Sequence, residues 1–230
     1  MKEANKRKWE EHVTLWKTSE YYQLEEIDKN PILTWLKKLP RSRVLDEGCG
    51  IGQYTISIAM LGFKITGLDF SPKLLKIAKK NVKKYRLSKR CKFIKGDIRK
   101  LPLKDKSFNI VVSAGIIEHV PETEYCLKEI SRVLKSKGYL LLHVPQKISV
   151  FTINKLLQQL LGIWKVGYEK SFTKTHLIKL LDKYNFKVLD EITPEIEKKS
   201  FILKILRILD KPLRLLGFGG HHIHLLCQKN

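Results

Sequence analysis

The residues best suited to chemistry stand at three points where an apolar run gives way to glycine or aspartate. The first is Val44-Leu45-Asp46-Glu47-Gly48-Cys49-Gly50-Ile51-Gly52, with three alternating glycines after a short apolar run. Glycine permits a tight turn and lets a ligand press against bare backbone. A helix starting behind the turn offers unpaired N–H groups and a dipole that favours negative charge. The second is Gly67-Leu68-Asp69-Phe70, where Asp69 at a strand end can accept from both ribose hydroxyls of a nucleoside and Phe70 can cover a base. The third is Gly96-Asp97-Ile98, where Asp97 can accept from an adenine amino group. Three successive strand ends thus present groups suited to an adenosine ligand, in the place where open α/β sheets bind their ligands. The spacing also excludes alternatives. A nicotinamide fingerprint would need glycine at Gln53, and no phosphate-loop motif G-x-x-x-x-G-K-[ST] is present.

The elements that must position these residues follow from the apolar periodicity. Strands are predicted at Val44–Asp46, Phe63–Leu68, Cys91–Ile94, Phe108–Ser113, Tyr139–Val144, Phe186–Leu189 and Ile223–Gln228. Helices alternate with them. One runs through Ile56, Ala59 and Met60. Another starts at Ser71-Pro72 and buries Leu74, Leu75, Ile77, Ala78 and Val82. A third covers Pro121–Leu134, with Lys135, Lys137 and Gly138 as its basic end and stop. Strands spaced by helices predict an α/β fold with a parallel, doubly wound, Rossmann-like sheet. The expected organisation is an N-terminal helical cover over 1–40 and a main domain over 41–230. Residues 146–172 form a lid-like insertion after the fifth strand, with a helix carrying Ile153, Leu156, Leu157, Leu160 and Leu161. Later helices are expected from Thr173 to about Tyr184 and over Phe201–Leu216.

Composition narrows the class further. The chain has 230 residues and a formal net charge of +22, which invites a polyanion partner. Residues 73–106 carry 15 basic and 2 acidic side chains, whereas 1–40 carry 8 and 7. The excess is therefore concentrated in one helix-and-strand stretch, a pattern equally produced by a solvated lysine-rich face. Cys49, Cys91, Cys126 and Cys227 form no C-x-x-C pair, so they are expected as reduced thiols of a cytoplasmic protein. Met1–Glu11 lacks the apolar core of a signal peptide, and no apolar run reaches bilayer-spanning length.

These motifs together resemble the class I S-adenosylmethionine-dependent methyltransferases, in particular the type 11 methyltransferase-domain family. Val44–Gly52 looks like that family's first motif and Gly67–Ser71 like its acidic motif. Gly96-Asp97-Ile98 with Leu101-Pro102, Ser107–Val111, Ile117-Glu118-His119-Val120 and Leu134–Gly138 complete the run. The likeness is strong over 41–145 and looser beyond. It implies a seven-stranded sheet with an antiparallel last strand, here Ile223–Gln228. It implies S-adenosyl-L-methionine as cofactor and S-adenosyl-L-homocysteine as product. Carried over, Gly48, Cys49, Gly50 and Gly52 line the methionine end, and Asp46 supports that loop or reaches the amino group. Asp69 holds the ribose, Asp97 and Ile98 flank the adenine, and the Ala114 backbone sits near the methionine amine. Two positions depart from the pattern, Glu47 and Asn109. Gly115 stands where some quinone-pathway relatives carry an acidic residue, so no metal site is expected.

His119 and His143, near the ends of the fourth and fifth strands, are the candidates for a general base, each with a packing role as the alternative. His221-His222-x-His224 reads as a substrate-side cluster more readily than as a metal site, because no further ligand stands nearby. The N-terminal Trp9, Trp16, Tyr21 and Tyr22 suit either a flap or a packed helix. The apolar segments Ile148–Trp164 and Phe201–Leu216 suit lid helices, and the latter, with Lys204, Arg207, Lys211 and Arg214, also suits peripheral membrane contact. The expected activity is methyl transfer to a small-molecule or lipid-like acceptor. One rival is an RNA (transfer-RNA) methyltransferase; against it, Ser113-Ala114-Gly115-Ile116 is not the Asn/Asp-Pro-Pro-aromatic signature of many base amino-methyltransferases. The other rival is a non-catalytic cofactor-binding scaffold.

Overall fold

The structure is a computed structural model that describes residues 29–164, 167–194, 201–215 and 219–230, with side chains of 201–207 outside the description. Seven strands form one sheet: β1 (Arg43–Glu47), β2 (Lys64–Asp69), β3 (Cys91–Lys95), β4 (Phe108–Ala114), β5 (Leu134–Pro145), β6 (Phe186–Ile192) and β7 (His222–Lys229). Their order is β3-β2-β1-β4-β5-β7-β6. β1 to β5 pair in parallel, and β7 runs antiparallel to both neighbours. This is the doubly wound sheet that the alternation of strands and helices predicts, with the antiparallel last strand that the family resemblance implies. The order reverses between β1 and β4, and ligands of such sheets bind beside that reversal at the carboxyl ends of the strands.

The helices are α1 (Pro31–Lys38), α2 (Gln53–Met60), α3 (Pro72–Lys84), α4 (Thr123–Val133), α5 (Val150–Leu160), α6 (Lys174–Lys183) and α7 (Phe201–Leu215). Several starts are written in the sequence. Asn30 and Ser71 cap α1 and α3 by accepting from Leu33 and Leu74 N–H, each with proline in the first turn. Ser149 and Thr173 do the same for α5 and α6.

Side chains alternate across the sheet and make a core on each face. Leu45, Phe108, Val111, Leu140, Leu142 and Val144 pack with α4 and α6. Val44, Ile110, Val112 and Leu141 pack with α1 and α2 through Ile32, Leu36 and Ile58. α1 is further tied to the sheet by the Trp35 indole, which donates to Asp190 at 2.8 Å.

Two features differ from the sequence reading. First, α4 stops at Val133 and β5 begins directly at Leu134, well before the expected Tyr139. Lys137 takes a left-handed φ of 59° and Gly138 sits against the Lys135 and Asn109 carbonyls, so the expected stop lies inside an irregular strand start. Second, the apolar face of α5 is turned outward: Ile153, Leu156, Leu157, Leu160 and Leu161 are 54–84% exposed. Trp9, Trp16, Tyr21 and Tyr22 lie outside the described residues. The chain leaves the sheet at Gln146 and returns at Phe172, where these two residues form a parallel bridge.

Candidate functional site

The glycine loop follows β1 without slack. Asp46, at the strand end, is buried and accepts a hydrogen bond from the Thr55 hydroxyl on α2. Burial pushes its carboxyl up to about 7, against the lowering effect of Thr55. Gly48 has φ +70°, and a β-carbon there would lie 2.3 Å from Ile116 Cδ1. Any side chain there would have to displace Ile116 and adopt a left-handed backbone. Gly52 takes φ +92° as the cap of α2 and faces Ala78 of α3 at van der Waals distance. Asn81, buried on α3, donates to the Ile51 carbonyl at 3.0 Å and fixes the loop from behind.

Asp69 joins the ends of β1 and β2. One carboxylate oxygen accepts from Gly50 N–H and the other from Ser71 N–H, both at 2.9 Å. These two bonds fix the orientation of the carboxylate at the cavity. Asp97 is held differently. Arg99 donates to it through the backbone N–H and the guanidinium, at 2.6–3.2 Å. These bonds hold its carboxyl down at about 2. Phe70, Asp97, Ile98 and Gly48 line a narrow cavity of about 50 Å³ beside Asp69.

A second cavity of about 510 Å³ opens over the ends of β1, β4 and β5. The two cavities share Gly48, Ile116 and His119. Asp46, Cys49, Gly50 and Ala114 line the larger one. Cys49 is a free thiol that burial pushes well above the usual range, so it serves as packing, 2.9 Å from where a Gly67 β-carbon would stand.

The far wall of the larger cavity comes from the loop after β4, the 146–172 segment and the β5–β7 pair. His119 Nδ1 lies 3.0 Å from the Tyr168 carbonyl. A carbonyl only accepts, so Nδ1 carries the proton and Nε2 is the basic nitrogen of the neutral ring. The neighbouring Glu118 is buried, and burial pushes its carboxyl up to about 8; its backbone carbonyl accepts from Lys170 N–H at 2.8 Å. The returning segment is therefore stapled to the Glu118–His119 loop. Lys155 of α5 is paired with Glu169 at 2.9 Å.

His143 stands opposite His224 across the β5–β7 pair. Its ring stacks on His224 (centroids 4.4 Å apart, planes 23°) and meets His222 edge-on at 4.2 Å. His222 contacts His221 at 3.8 Å, and His221 stacks on Phe151 of α5 at 4.0 Å and 18°. Both His143 ring nitrogens are buried without a hydrogen-bond partner. Burial, with smaller effects of the neighbouring imidazoles, pushes His143 well below its usual range. It likewise brings His222 down to about 2 and His221 to about 4. All three are neutral at physiological pH.

The sequence-derived residues thus fall into two adjoining groups: Gly48, Asp69, Phe70, Asp97 and Ile98 around the narrow cavity, and Asp46, Cys49, Gly50, Ala114, His119 and His143 around the larger one. Gly52 lies behind them as the helix cap. Sequence reasoning missed Thr55, Asn81 and Arg99, which hold the loop and Asp97. The only signals available were a hydroxyl and an amide on otherwise apolar helix faces. It also missed the link from Phe151 through the three C-terminal histidines to His143.

The strand order and the glycine turn beside the reversal define a Rossmann-like sheet built to hold a nucleoside at its carboxyl edge. A family model described as a methyltransferase domain matches residues 38–204, and the chain belongs to that family. Among curated proteins it is 31% identical over 170 residues to a ubiquinone biosynthesis O-methyltransferase of Pelagibacter ubique, covering 67% of this chain and 69% of that protein. It is 39% identical over 97 residues to a demethylmenaquinone methyltransferase of Lactobacillus johnsonii and 35% over 94 residues to a sterol 4-C-methyltransferase of Caenorhabditis elegans. Those two matches take in 41% of this chain and only 40% and 28% of the respective relatives. Among solved structures, a Thermotoga maritima S-adenosylmethionine-dependent methyltransferase superposes over 97% of this chain and 99% of its own, with TM-score 0.64 and 21% identity. The [4+2]-cyclase SpnF superposes over 94% and 85%, with TM-score 0.67 and 19% identity. That neighbour shows why the fold alone does not assign a reaction.

Proposed function

We propose that the protein transfers the methyl group of S-adenosyl-L-methionine to a small-molecule or lipid-like acceptor, releasing S-adenosyl-L-homocysteine. The observation that carries this reading is the convergence of three neighbouring strand ends on two cavities that share Gly48, Ile116 and His119. The residues suit the cofactor. Asp69 is buried and oriented beside the space a ribose would fill, and Phe70, Asp97 and Ile98 surround that space. The bare backbone of Gly48 and Gly50, with Asp46 behind and Ala114 opposite, lines the space for the methionine arm. When bound, the cofactor supplies an electrophilic methyl group on a sulfonium.

The chain's own residues supply position. Orientation of an acceptor against a reacting group is worth roughly 7–11 kcal/mol of barrier. The 146–172 segment, stapled to Glu118 and His119, covers the larger cavity from the side of the β5–β7 pair. For an acceptor that must lose a proton, His119 Nε2 is the base at the junction of the cavities, its tautomer fixed by Tyr168. His143 is a second neutral imidazole deeper in the wall.

The relatives above, named for a sterol, for demethylmenaquinone and for ubiquinone biosynthesis, favour a lipid-like acceptor over RNA. No described helix is long and apolar enough to cross a membrane. The outward apolar side chains of α5, with Ile208, Leu209 and Leu215 of α7, support peripheral contact of a cytoplasmic enzyme with a bilayer.

Titration calorimetry with S-adenosyl-L-homocysteine, followed by transfer of a labelled methyl group to lipid, small-molecule and RNA fractions of a cell extract, tests the reading. Binding with label entering the lipid or small-molecule fraction supports it. Label in RNA alone, or no transfer despite binding, overturns it.

A further inference from the structure

We propose that the wall formed by Phe151, His221, His222 and His143 is the acceptor subsite, and that it takes a neutral, planar aromatic compound bearing a ring hydroxyl. This rests on the methyl-transfer reading and names the acceptor class for the same site.

The first observation is shape. Four rings on three separate elements follow one another along a single wall, with successive centroids 3.8–4.2 Å apart. Tyr54 and Trp164 also line the cavity. Flat faces and edges at this density bind a flat ring by offset or edge-on contact, beyond what burial alone contributes. An aliphatic chain or a puckered ring gains no such contact.

The second observation is unmet hydrogen bonding. A neutral imidazole carries one N–H donor and one acceptor nitrogen, and neither nitrogen of His143 has a partner. His224, buried and stacked behind it, holds the ring in place. An orphaned polar group inside a folded protein is destabilising, and a binding role is one of the few things that retains it. A hydroxyl both donates and accepts, so it matches either nitrogen once a small turn of the ring uncovers it.

The third observation is charge. The only Lys or Arg among the described lining residues is Lys155, and Glu169 neutralises it. The closely packed rings of His143 and His222 are held in the uncharged form by loss of solvent around them, while His221 is exposed at the rim. Nothing on this wall offers a carboxylate or phosphate acceptor a free positive charge, so a neutral molecule is favoured.

The test uses the full chain saturated with S-adenosyl-L-homocysteine and two probes of equal ring size: catechol, which is flat, and trans-1,2-cyclohexanediol, which is puckered and carries the same two hydroxyls. The readout is the ring signals of the seven histidines in proton–carbon spectra. Catechol is expected to move the signals of His143, His221 and His222, and the diol to leave them in place. His222→Leu is expected to weaken catechol binding about fivefold, and Phe151→Leu, on a different element, to do the same. Both variants should keep their affinity for S-adenosyl-L-homocysteine, which reports that they fold. Equal shifts with the two probes, no shift with catechol, or unchanged catechol affinity in both variants overturns the proposal. Failure of the wild-type chain to bind S-adenosyl-L-homocysteine would instead overturn the methyl-transfer reading.

Discussion

The β1–β3 end and the β5–β7 end of the sheet meet at one cleft but are finished in opposite ways. At β1–β3 the acidic groups that face the ligand space are already held: Asp46 by Thr55, Asp69 by Gly50 and Ser71, Asp97 by Arg99. At β5–β7 the imidazoles lean on one another, and His143 has no hydrogen-bond partner at either nitrogen. A ligand that is the same in every turnover rewards a rigid, satisfied frame. A wall left unsatisfied awaits groups that arrive with the other reactant. The contrast assigns cofactor and acceptor to the two ends before either is bound.

Gly48→Val should break the cofactor end most completely. The new side chain would meet Ile116 and demand a left-handed φ. Cofactor affinity should fall by more than about 100-fold in calorimetry, whereas catechol should still shift the His221 and His222 signals. Asp69→Ala comes next, because it removes the ribose acceptor and frees two backbone N–H groups. Losing a charged hydrogen-bond acceptor is worth roughly 1.5–3 kcal/mol, so affinity for S-adenosyl-L-homocysteine should drop about 10- to 100-fold.

Glu47 sharpens the comparison, since it belongs to the cofactor end but is not satisfied. It is fully buried opposite Ser113, and neither oxygen has a hydrogen-bond partner. Burial pushes its carboxyl up to about 8, against a smaller lowering effect of Ser113. The folded state therefore prefers the protonated acid, whereas the unfolded carboxyl titrates near its ordinary value of 4.5. Its stabilising contribution is complete below that value and is lost as pH rises to about 8. Glu47→Gln cannot ionise. It should flatten the loss of melting temperature between pH 5 and 8 and gain on the order of 1–2 kcal/mol at pH 8, with cofactor affinity unchanged. The smallest effect is expected at the outer surface. Leu160→Ser on α5 should weaken association with anionic vesicles about threefold to tenfold, the share of one partly inserted leucine, without altering melting temperature.

Local chemistry explains what was legible in the sequence. The glycine loop, Asp69 and Asp97 each sit within a few residues of the strand that positions them, so the motif carries its own geometry. Ser71-Pro72 announces its helix in the same local way. The histidine wall was not legible, because His143 and His224 are 81 residues apart in number and meet only through the antiparallel β5–β7 pairing. Each was visible, but their stacking was not. The early start of β5 was hidden because Lys135, Lys137 and Gly138 read as a helix stop, and the same residues instead make the strand's irregular entrance. The apolar period of α5 predicts a helix correctly but says nothing of what covers it, and tertiary packing leaves that face outside.

Co-crystallisation with S-adenosyl-L-homocysteine tests the division of the cleft most directly. The account predicts both ribose hydroxyls on the Asp69 carboxylate, the adenine between Phe70 and Ile98 beside Asp97, and the amino-acid arm along Gly48–Gly50, with its sulfur facing His119. An occupied site with the ribose away from Asp69, or with the nucleoside lying against His143 and His222, would contradict it.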